Sequence, residues 1–272
     1  MRKSTFDYIQ QLLLKTTAIS LDTHKSYLVE TRLTPLARKY GAANVDQLVD
    51  RFRLESCSTL KEDIVNAMTT NETFFFRDRV PFESLRDVVL PNLFRLRVAR
   101  RQICIWCAAC STGQEPYSIA MVLREHFPDY LNWDIRLIGS DLSTEVIEQA
   151  RRGVYSEIAA HRGLPEELQK KYLRKRSHDW QLSDEIRSMV EYRHINLVTD
   201  WPPLPKMDVV FLRNVMVYWD ESTKRQILRR IRAHMKPDGY LFLGGAETTV
   251  HLDRSFQQVQ GNGFSFYQPR QT

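Results

Sequence analysis

The sequence predicts an α/β protein: a doubly wound, mainly parallel sheet, preceded by a small all-helical N-terminal domain and interrupted by a small inserted subdomain. Three observations carry this reading. The first 70 or so residues repeat apolar side chains at helical spacing and carry no strand signal. Beyond them, short apolar runs at 102–108, 133–139, 207–212 and 240–243 alternate with helical patterns at 116–127, 144–152 and 221–235. Between about 154 and 190 the alternation breaks into a charged, mixed stretch with Lys170-Lys171 and Arg174-Lys175-Arg176. The boundaries expected are 1–75 for the helical domain and 76–272 for the sheet domain, with the insertion at about 154–190.

The N-terminal helices follow in order. Phe6, Ile9, Leu12 and Leu13 make one stripe. Val29, Leu33, Leu36 and Tyr40 make a second, which Gly41 ends. Val45, Leu48, Val49 and Phe52 make a third, and residues 60–68 a fourth. In the sheet domain, residues 102–108 form an apolar run between Arg101 and a Ser-Thr-Gly turn, the mark of a buried strand. The strand at 133–139 stops at Ser140-Asp141, and Met-Asp-Val-Val-Phe-Leu at 207–212 is buried throughout. Lys236-Pro237-Asp238-Gly239 reads as the turn closing the last helix. Alternation at 263–268, Phe264 and Phe266 against Ser265 and Tyr267, reads as a late edge strand of a hairpin.

A chain of 272 residues with 43% hydrophobic content is long enough for one large domain and one small one. No run of about 18 apolar residues exists, so no membrane insertion is expected. Met1-Arg2-Lys3-Ser4 leads into an amphipathic segment rather than a secretory signal. Three of the four cysteines, Cys104, Cys107 and Cys110, lie too close together for an ordinary disulfide framework, and with Cys57 they fit a reducing, cytoplasmic setting. The formal charge of +6 favours an acidic partner, whether nucleic acid, anionic lipid or protein; a merely soluble surface explains it equally.

In doubly wound sheets ligands sit beyond the carboxyl ends of the strands. After the first strand comes Ala108-Ala109-Cys110-Ser111-Thr112-Gly113-Gln114-Glu115, small residues with one glycine. This is not the glycine set that cradles a pyrophosphate. It suits a nucleoside ligand without phosphates, or a tight structural turn. Asp141 ends the second strand, where a carboxylate can accept from two ribose hydroxyls; capping of the next helix by Asp141 or Ser143 is the alternative. Asn196-Leu197 follow the third strand, and an amide there can both donate to and accept from an adenine edge. Arg213-Asn214 follow the fourth, with backbone carbonyls placed for an amino group.

These residues carry a resemblance. Thr70-Asn71-Glu72-Thr73-Phe74-Phe75-Phe76-Arg77-Asp78 resembles the domain-junction motif of the chemotaxis receptor methyltransferases, the CheR family. Ala109-Cys110-Ser111-Thr112-Gly113-Gln114-Glu115-Pro116-Tyr117-Ser118 resembles its cofactor loop. Gly139-Ser140-Asp141, Ile195-Asn196-Leu197 and Arg213-Asn214-Val215-Met216-Val217-Tyr218 match in the same order. The resemblance implies a Rossmann-like methyltransferase sheet. It also implies S-adenosyl-L-methionine as cofactor, S-adenosyl-L-homocysteine as product, and methyl esterification of glutamate side chains on methyl-accepting chemotaxis receptors. It implies cofactor contacts from Asn71, Thr73, Arg77, Glu115, Asp141, Asn196, Leu197, Arg213 and Asn214. Arg77 is suited to the methionine carboxylate, though an interdomain salt bridge is its alternative, as helix N-terminal charge is for Glu115.

Methyl transfer from a sulfonium to a carboxylate needs no strong base, because glutamate is ionised at neutral pH with an ordinary pKa of about 4.3. Alignment and desolvation suffice. Tyr218 is the candidate for orienting the acceptor carboxylate; a packed tyrosine is its bland counterpart. Lys25, Arg32 and Lys39, spaced by seven, would face an acidic helical bundle, or form the solvated edge of a core helix. Some family members tether a receptor pentapeptide through a glycine-containing loop in the insertion. Here Tyr172-Leu173-Arg174-Lys175-Arg176-Ser177-His178-Asp179-Trp180 is shorter and lacks glycine, so no strong pentapeptide binding is expected.

Three features of the sequence offer competing readings. Cys104, Cys107 and Cys110 superficially suggest a metal site, but positions three apart on a strand point to opposite faces, and no metal is expected. Asp200-Trp201-Pro202-Pro203 is similar to motifs of nucleic-acid amino methyltransferases, but it precedes its strand rather than following it. Nucleic acid is therefore the alternative substrate, not the expected one. A cofactor-binding receptor scaffold without turnover is the non-enzymatic alternative.

Overall fold

The computed structural model describes residues 1–55, 57–261 and 264–270, the Phe264 side chain aside; Gly263 and that side chain, part of the expected last strand, lie outside the described residues. The chain divides into two compact units, Met1–Thr70 with Tyr218–Thr223, and Asn71–Val217 with Lys224–Thr272.

The first unit contains helices α1 (Lys3–Thr17), α2 (Ser26–Lys39), α3 (Val45–Glu55) and α4 (Ser58–Met68). Their apolar stripes form its core: Ile9, Leu13, Val29, Leu33, Leu48, Val49 and Ile64 are fully buried. Gly41 ends α2 as the stripe suggested. It sits at φ +64°, and the amides of Gly41 and Ala42 return to the carbonyls of Arg38 and Ala37. Arg32 is spent on the end of α4: its Nη1 donates to Met68 O at 2.7 Å and its Nη2 to Thr70 Oγ1 at 2.9 Å. Lys39 Nζ meets Asp63 Oδ2 at 2.7 Å. Lys25 is exposed.

The second unit opens with helices at 80–97 that the sequence reading left unassigned. They are α5 (Val80–Ser84), a π-helical turn (Leu85–Val89) and α6 (Leu90–Arg97). The cause of the turn is Pro91. It has no N–H to donate, and its ring excludes the carbonyl four residues back. The ladder slips, and Leu90 N donates to Leu85 O instead. Pro81 and Pro91 also explain why the segment did not read as a helix.

The main sheet contains β1 (Gln102–Ala108) and β2 (Asp134–Asp141). The insertion supplies β3 (Val154–Ser156), β4 (Leu173–Arg176) and β5 (Asp179–Leu182). The main sheet resumes with β6 (Val190–His194), β7 (Met207–Leu212), β8 (Met235–Leu243), β9 (Phe256–Gly261) and β10 (Phe264–Pro269). Seven strands are ordered β6-β2-β1-β7-β8-β10-β9; the first five are parallel and β10 is antiparallel to both its neighbours. Between them run α7 (Gln114–His126), α8 (Thr144–Arg152) and α12 (Glu221–His234). The insertion holds α9 (Glu157–His161), α10 (Glu166–Tyr172) and α11 (Asp184–Arg187) around a separate antiparallel sheet ordered β3-β5-β4.

Two expectations are corrected. The strand at 264–269 is not an edge, because β9 pairs along its outer side. Residues 236–239 are not a turn outside the sheet but part of β8, where Met207 pairs with Met235 across a bulge. That bulge brings charges together at the amino end of the sheet. Asp208, fully buried, accepts from Arg97 Nε at 2.8 Å, Lys236 Nζ at 2.7 Å and Cys104 N at 2.8 Å. The Asp238 carboxylate pairs with the same Arg97, which holds its pKa below the usual value. The polar residues of this end have a structural job.

Candidate cofactor site

Register aligns the carboxyl ends of the parallel strands: Ala108 pairs with Ser140 and Leu212, Asp141 with His194, and Leu212 with Leu243. The order reverses between β1 and β7, so the crevice opens beside the loop after β1. That loop is bent hard. Ala109 at φ +61°, Ser111 at +51° and Gly113 at +94° lie in the left-handed region. Only Gly113 has no side chain to fit: a Cβ there would lie 2.6 Å from Tyr192 Oη and 2.9 Å from Ala150 Cβ.

Asp141 holds the loop. Its Oδ2 accepts from Ser111 N at 2.9 Å and its Oδ1 from Ser143 N at 3.0 Å. Helix α8 is capped by Ser143, whose Oγ accepts from Val146 N. The capping alternative for Asp141 is therefore taken by its neighbour. Burial pushes the Asp141 carboxyl above its ordinary value, against the pull of these amides. The Leu142 amide also acts on this carboxylate; with about four acceptor positions in a carboxylate, some acceptor capacity remains.

Glu115 and Arg213 form the second feature. Arg213, with its side chain 1% exposed, donates from Nη1 to Glu115 Oε2 at 2.7 Å. Its Nη2 reaches Asp78 Oδ2 at 2.7 Å and Arg77 O at 2.9 Å. One guanidinium thus ties the junction motif to helix α7 and strand β7. Burial raises the Glu115 carboxyl, opposed by Arg213. Arg77 donates one bond, from Nη1 to Glu72 O at 2.8 Å. Asn71 enters through its carbonyl, which accepts from Ser111 Oγ at 3.0 Å. Thr73 is partly buried in the same segment.

The other strand ends are more committed than the sequence suggested. Asn196 Oδ1 accepts from Val198 N at 3.0 Å in a local turn. Leu197 is buried and its carbonyl accepts from Trp201 Nε1 and Arg230 Nη1, each at 3.2 Å. Trp201, from the Asp-Trp-Pro-Pro stretch, stacks edgewise on Trp106 with centroids 5.1 Å apart and so has a packing role. Asn214 sits at φ +59°.

Sequence reasoning missed Glu247. Its Oε2 accepts from Asn214 N and Gly244 N, both at 2.8 Å, and its Oε1 from Met216 N at 2.7 Å. One carboxylate therefore fixes the ends of β7 and β8 to each other. Gly244 is required beneath it, since a Cβ there would meet Asn214 Nδ2 at 2.7 Å. The available signal was position: Glu247 lies in the loop after a strand end, the place where the other candidates were sought. Tyr155 was also missed. From the insertion, its hydroxyl donates to Thr112 O at 2.7 Å, bracing the loop after β1.

Tyr218 belongs to the first unit, where its carbonyl accepts from Ser20 N at 3.3 Å. The four cysteines are free thiols, and burial pushes Cys104, Cys107 and Cys110 up. Among the described residues no group of three potential ligands is placed to hold a metal.

A parallel sheet extended by an antiparallel hairpin, with a buried carboxylate at the end of β2, defines a doubly wound α/β protein with a crevice suited to a nucleoside ligand. Comparison narrows the class. Residues 71–264 match the family model described as CheR methyltransferase, SAM binding domain, and residues 4–69 match CheR methyltransferase, all-alpha domain. The chain is 41% identical over 259 residues to Chemotaxis protein methyltransferase 1 of Pseudomonas aeruginosa, covering 94% of each chain. It is 38% identical over 269 residues to Chemotaxis protein methyltransferase Cher2 of Pseudomonas putida, covering 97% of this chain and 98% of that one. A more distant relative, Chemotaxis protein methyltransferase of Borreliella burgdorferi, is 33% identical over 235 residues, 85% and 83% of the two chains. The chain belongs to the CheR methyltransferase family, and it is an S-adenosylmethionine-dependent methyltransferase of chemotaxis.

Proposed function

We propose that this enzyme esterifies glutamate side chains of methyl-accepting chemotaxis receptors in the cytoplasm, giving sensory adaptation. What carries the reading is the match over both parts of the family, joined to polar side chains at each strand end of the crevice. No helix among the described residues is long and apolar enough to cross a membrane, which is compatible with such a setting.

The site residues fit S-adenosylmethionine. Asp141 has acceptor capacity left for ribose hydroxyls, and the Arg77 guanidinium uses one N–H on Glu72 O and keeps others for a carboxylate. Glu115, held by Arg213, supplies negative charge for the amino group, together with the carbonyls of Arg213 and Asn214. Asn196 and Leu197 would border the adenine, with Asn71 and Thr73 closing the crevice. When bound, the cofactor supplies an electrophilic methyl on a sulfonium. The protein's share is to hold the acceptor glutamate ionised, in line and shielded from water. Tyr218 is proposed to orient that carboxylate, and Lys25, Arg32 and Lys39 to face the acidic receptor; Arg32 would do so with its guanidinium already bonded to the end of α4. A receptor pentapeptide is not expected to bind the insertion tightly, and calorimetric titration checks this.

The test is peptide mass spectrometry of a receptor cytoplasmic fragment incubated with the enzyme and S-adenosylmethionine. Methyl mass on glutamates of the helical bundle is the expected result. Methyl mass on other residue types, or none on several receptors while the cofactor binds, would refute the proposal.

A further inference from the structure

The helix row first assigned to an acidic partner has two of its three cations already engaged, Arg32 on α4 and Lys39 on Asp63. Uncommitted positive charge collects elsewhere. A concave pocket of about 480 Å³ lies between α12 and the loop that leaves the carboxyl end of β8, lined by Arg225, Arg229, His251, Leu252, Asp253 and Arg254. Arg225 and Arg229 stand one turn apart on α12, and Arg225 Nη1 donates to Leu252 O at 2.8 Å, fixing the loop against the helix. Arg229, His251 and Arg254 are exposed and make no hydrogen bond or ion pair among the described residues.

We propose that this pocket is a docking surface for an acidic helical segment of the protein substrate, taking carboxylate side chains beside the one being methylated. The inference rests on the glutamate-methylating function proposed above. Even leaving Arg225 aside, the exposed guanidinium groups of Arg229 and Arg254 against the single carboxylate of Asp253 leave a net positive pocket suited to carboxylates. The Ser255 hydroxyl, buried and without a partner, adjoins Asp253, whose Oδ1 accepts from Ser255 N at 2.8 Å. Asp253 itself argues against a continuous polyphosphate, which would pass close to it. Val250, 47% exposed and next to His251, adds the apolar contact of a protein interface rather than of a purely ionic one. The loop follows Gly244 and Gly245 at the same end of the sheet as Asp141 and Asn214, so a segment held here lies at the reactive end.

The test uses the full chain carrying Arg229→Glu with Arg254→Glu, both exposed and outside the cofactor residues. Methyl transfer to a soluble receptor fragment is followed against fragment concentration and salt, and fragment binding is measured separately by calorimetry. Charge reversal should raise KM and Kd for the fragment about tenfold or more and flatten their salt dependence, with kcat and cofactor affinity unchanged. Unchanged KM, Kd and salt slope would overturn the proposal. So would loss of binding to vesicles containing phosphatidylserine with fragment binding unaltered, which would make the pocket a lipid site. Fragment binding that is lost on charge reversal, with no glutamate ester formed by the unaltered enzyme, would uphold the docking surface and refute the glutamate reading alone.

Discussion

Replacing Glu247 by glutamine isolates a strand-end carboxylate that the sequence did not announce. The carboxylate takes three backbone N–H groups: two on Oε2, from Asn214 and Gly244, and one on Oε1, from Met216. A carboxamide has one oxygen. If it replaces Oε2, its NH2 faces the Met216 N–H donor to donor. One bond is then lost, a donor is left unmatched, and two bonds lose their charge assistance. Hydrogen bonds to charged groups contribute about 1.5–3 kcal/mol each and neutral ones about 1. Glu247 is only partly buried and lines a water-accessible cavity of about 620 Å³, so the lower end applies. The expected cost is about 2 kcal/mol, a fall in melting temperature of roughly 4–8 °C at this chain size. Because Asn214 is held left-handed at φ +59° by this bond, cofactor affinity should fall with stability. Differential scanning calorimetry measures the first and isothermal titration with S-adenosylmethionine the second. A melting temperature and an affinity both equal to those of the unaltered enzyme would refute the reasoning.

Three further outcomes are expected. Asp208→Asn removes a buried negative charge and one of its two acceptor oxygens, so that Lys236 or the Cys104 amide faces an NH2 while Arg97 keeps only Asp238 as a charged partner, and should cost about 3–5 kcal/mol by chemical denaturation. Cofactor affinity should stay the same, since this cluster lies at the opposite end of the sheet; a large loss of affinity would contradict the division between the two ends. Asp141→Asn removes a charged acceptor that organises Ser111 and is proposed to hold the ribose, and should weaken cofactor binding about 10–100-fold in a titration, with little change in secondary structure by circular dichroism. Burial raises both Asp141 and Glu115, so each takes up a proton at a higher pH in the folded apo-protein than in the unfolded chain. Their effect on stability is most favourable at low pH and is lost as pH rises from the unfolded values, about 3.9 and 4.3, through the higher folded ones. The cofactor contacts proposed for them use the ionised forms, so affinity should fall as pH is lowered, beginning above the ordinary carboxylate range. An affinity flat down to pH about 4 would show that these groups are not the ones bound.

The sheet was legible in the sequence because its strands are buried on both faces. The runs at 102–108 and 207–212 match β1 and β7 residue for residue, and the helix at 144–152 matches α8. The segment at 80–97 was not legible, because two prolines and a π-helical turn break the helical period there. Strand β9 escaped because Phe256-Gln257-Gln258-Val259-Gln260 buries few apolar side chains and reads as polar coil. At the site, the sequence located strand ends but not how the side chains are used. Arg213 read as a backbone position, yet its buried guanidinium bridges Glu115 and Asp78. Asn196 read as an adenine contact, yet its Oδ1 is already bonded to Val198 N. Such commitments depend on which loops fold back on which, and a linear pattern does not encode that.

The most direct measurement is transfer of radiolabelled methyl from S-adenosylmethionine to receptor-containing membranes, followed by release in alkali. Label on receptor bands that is lost in base, and is strongly reduced with Asp141→Asn or Arg77→Ala enzyme, is the expected result. Base-stable label, or label on nucleic acid instead of receptor, would contradict the account.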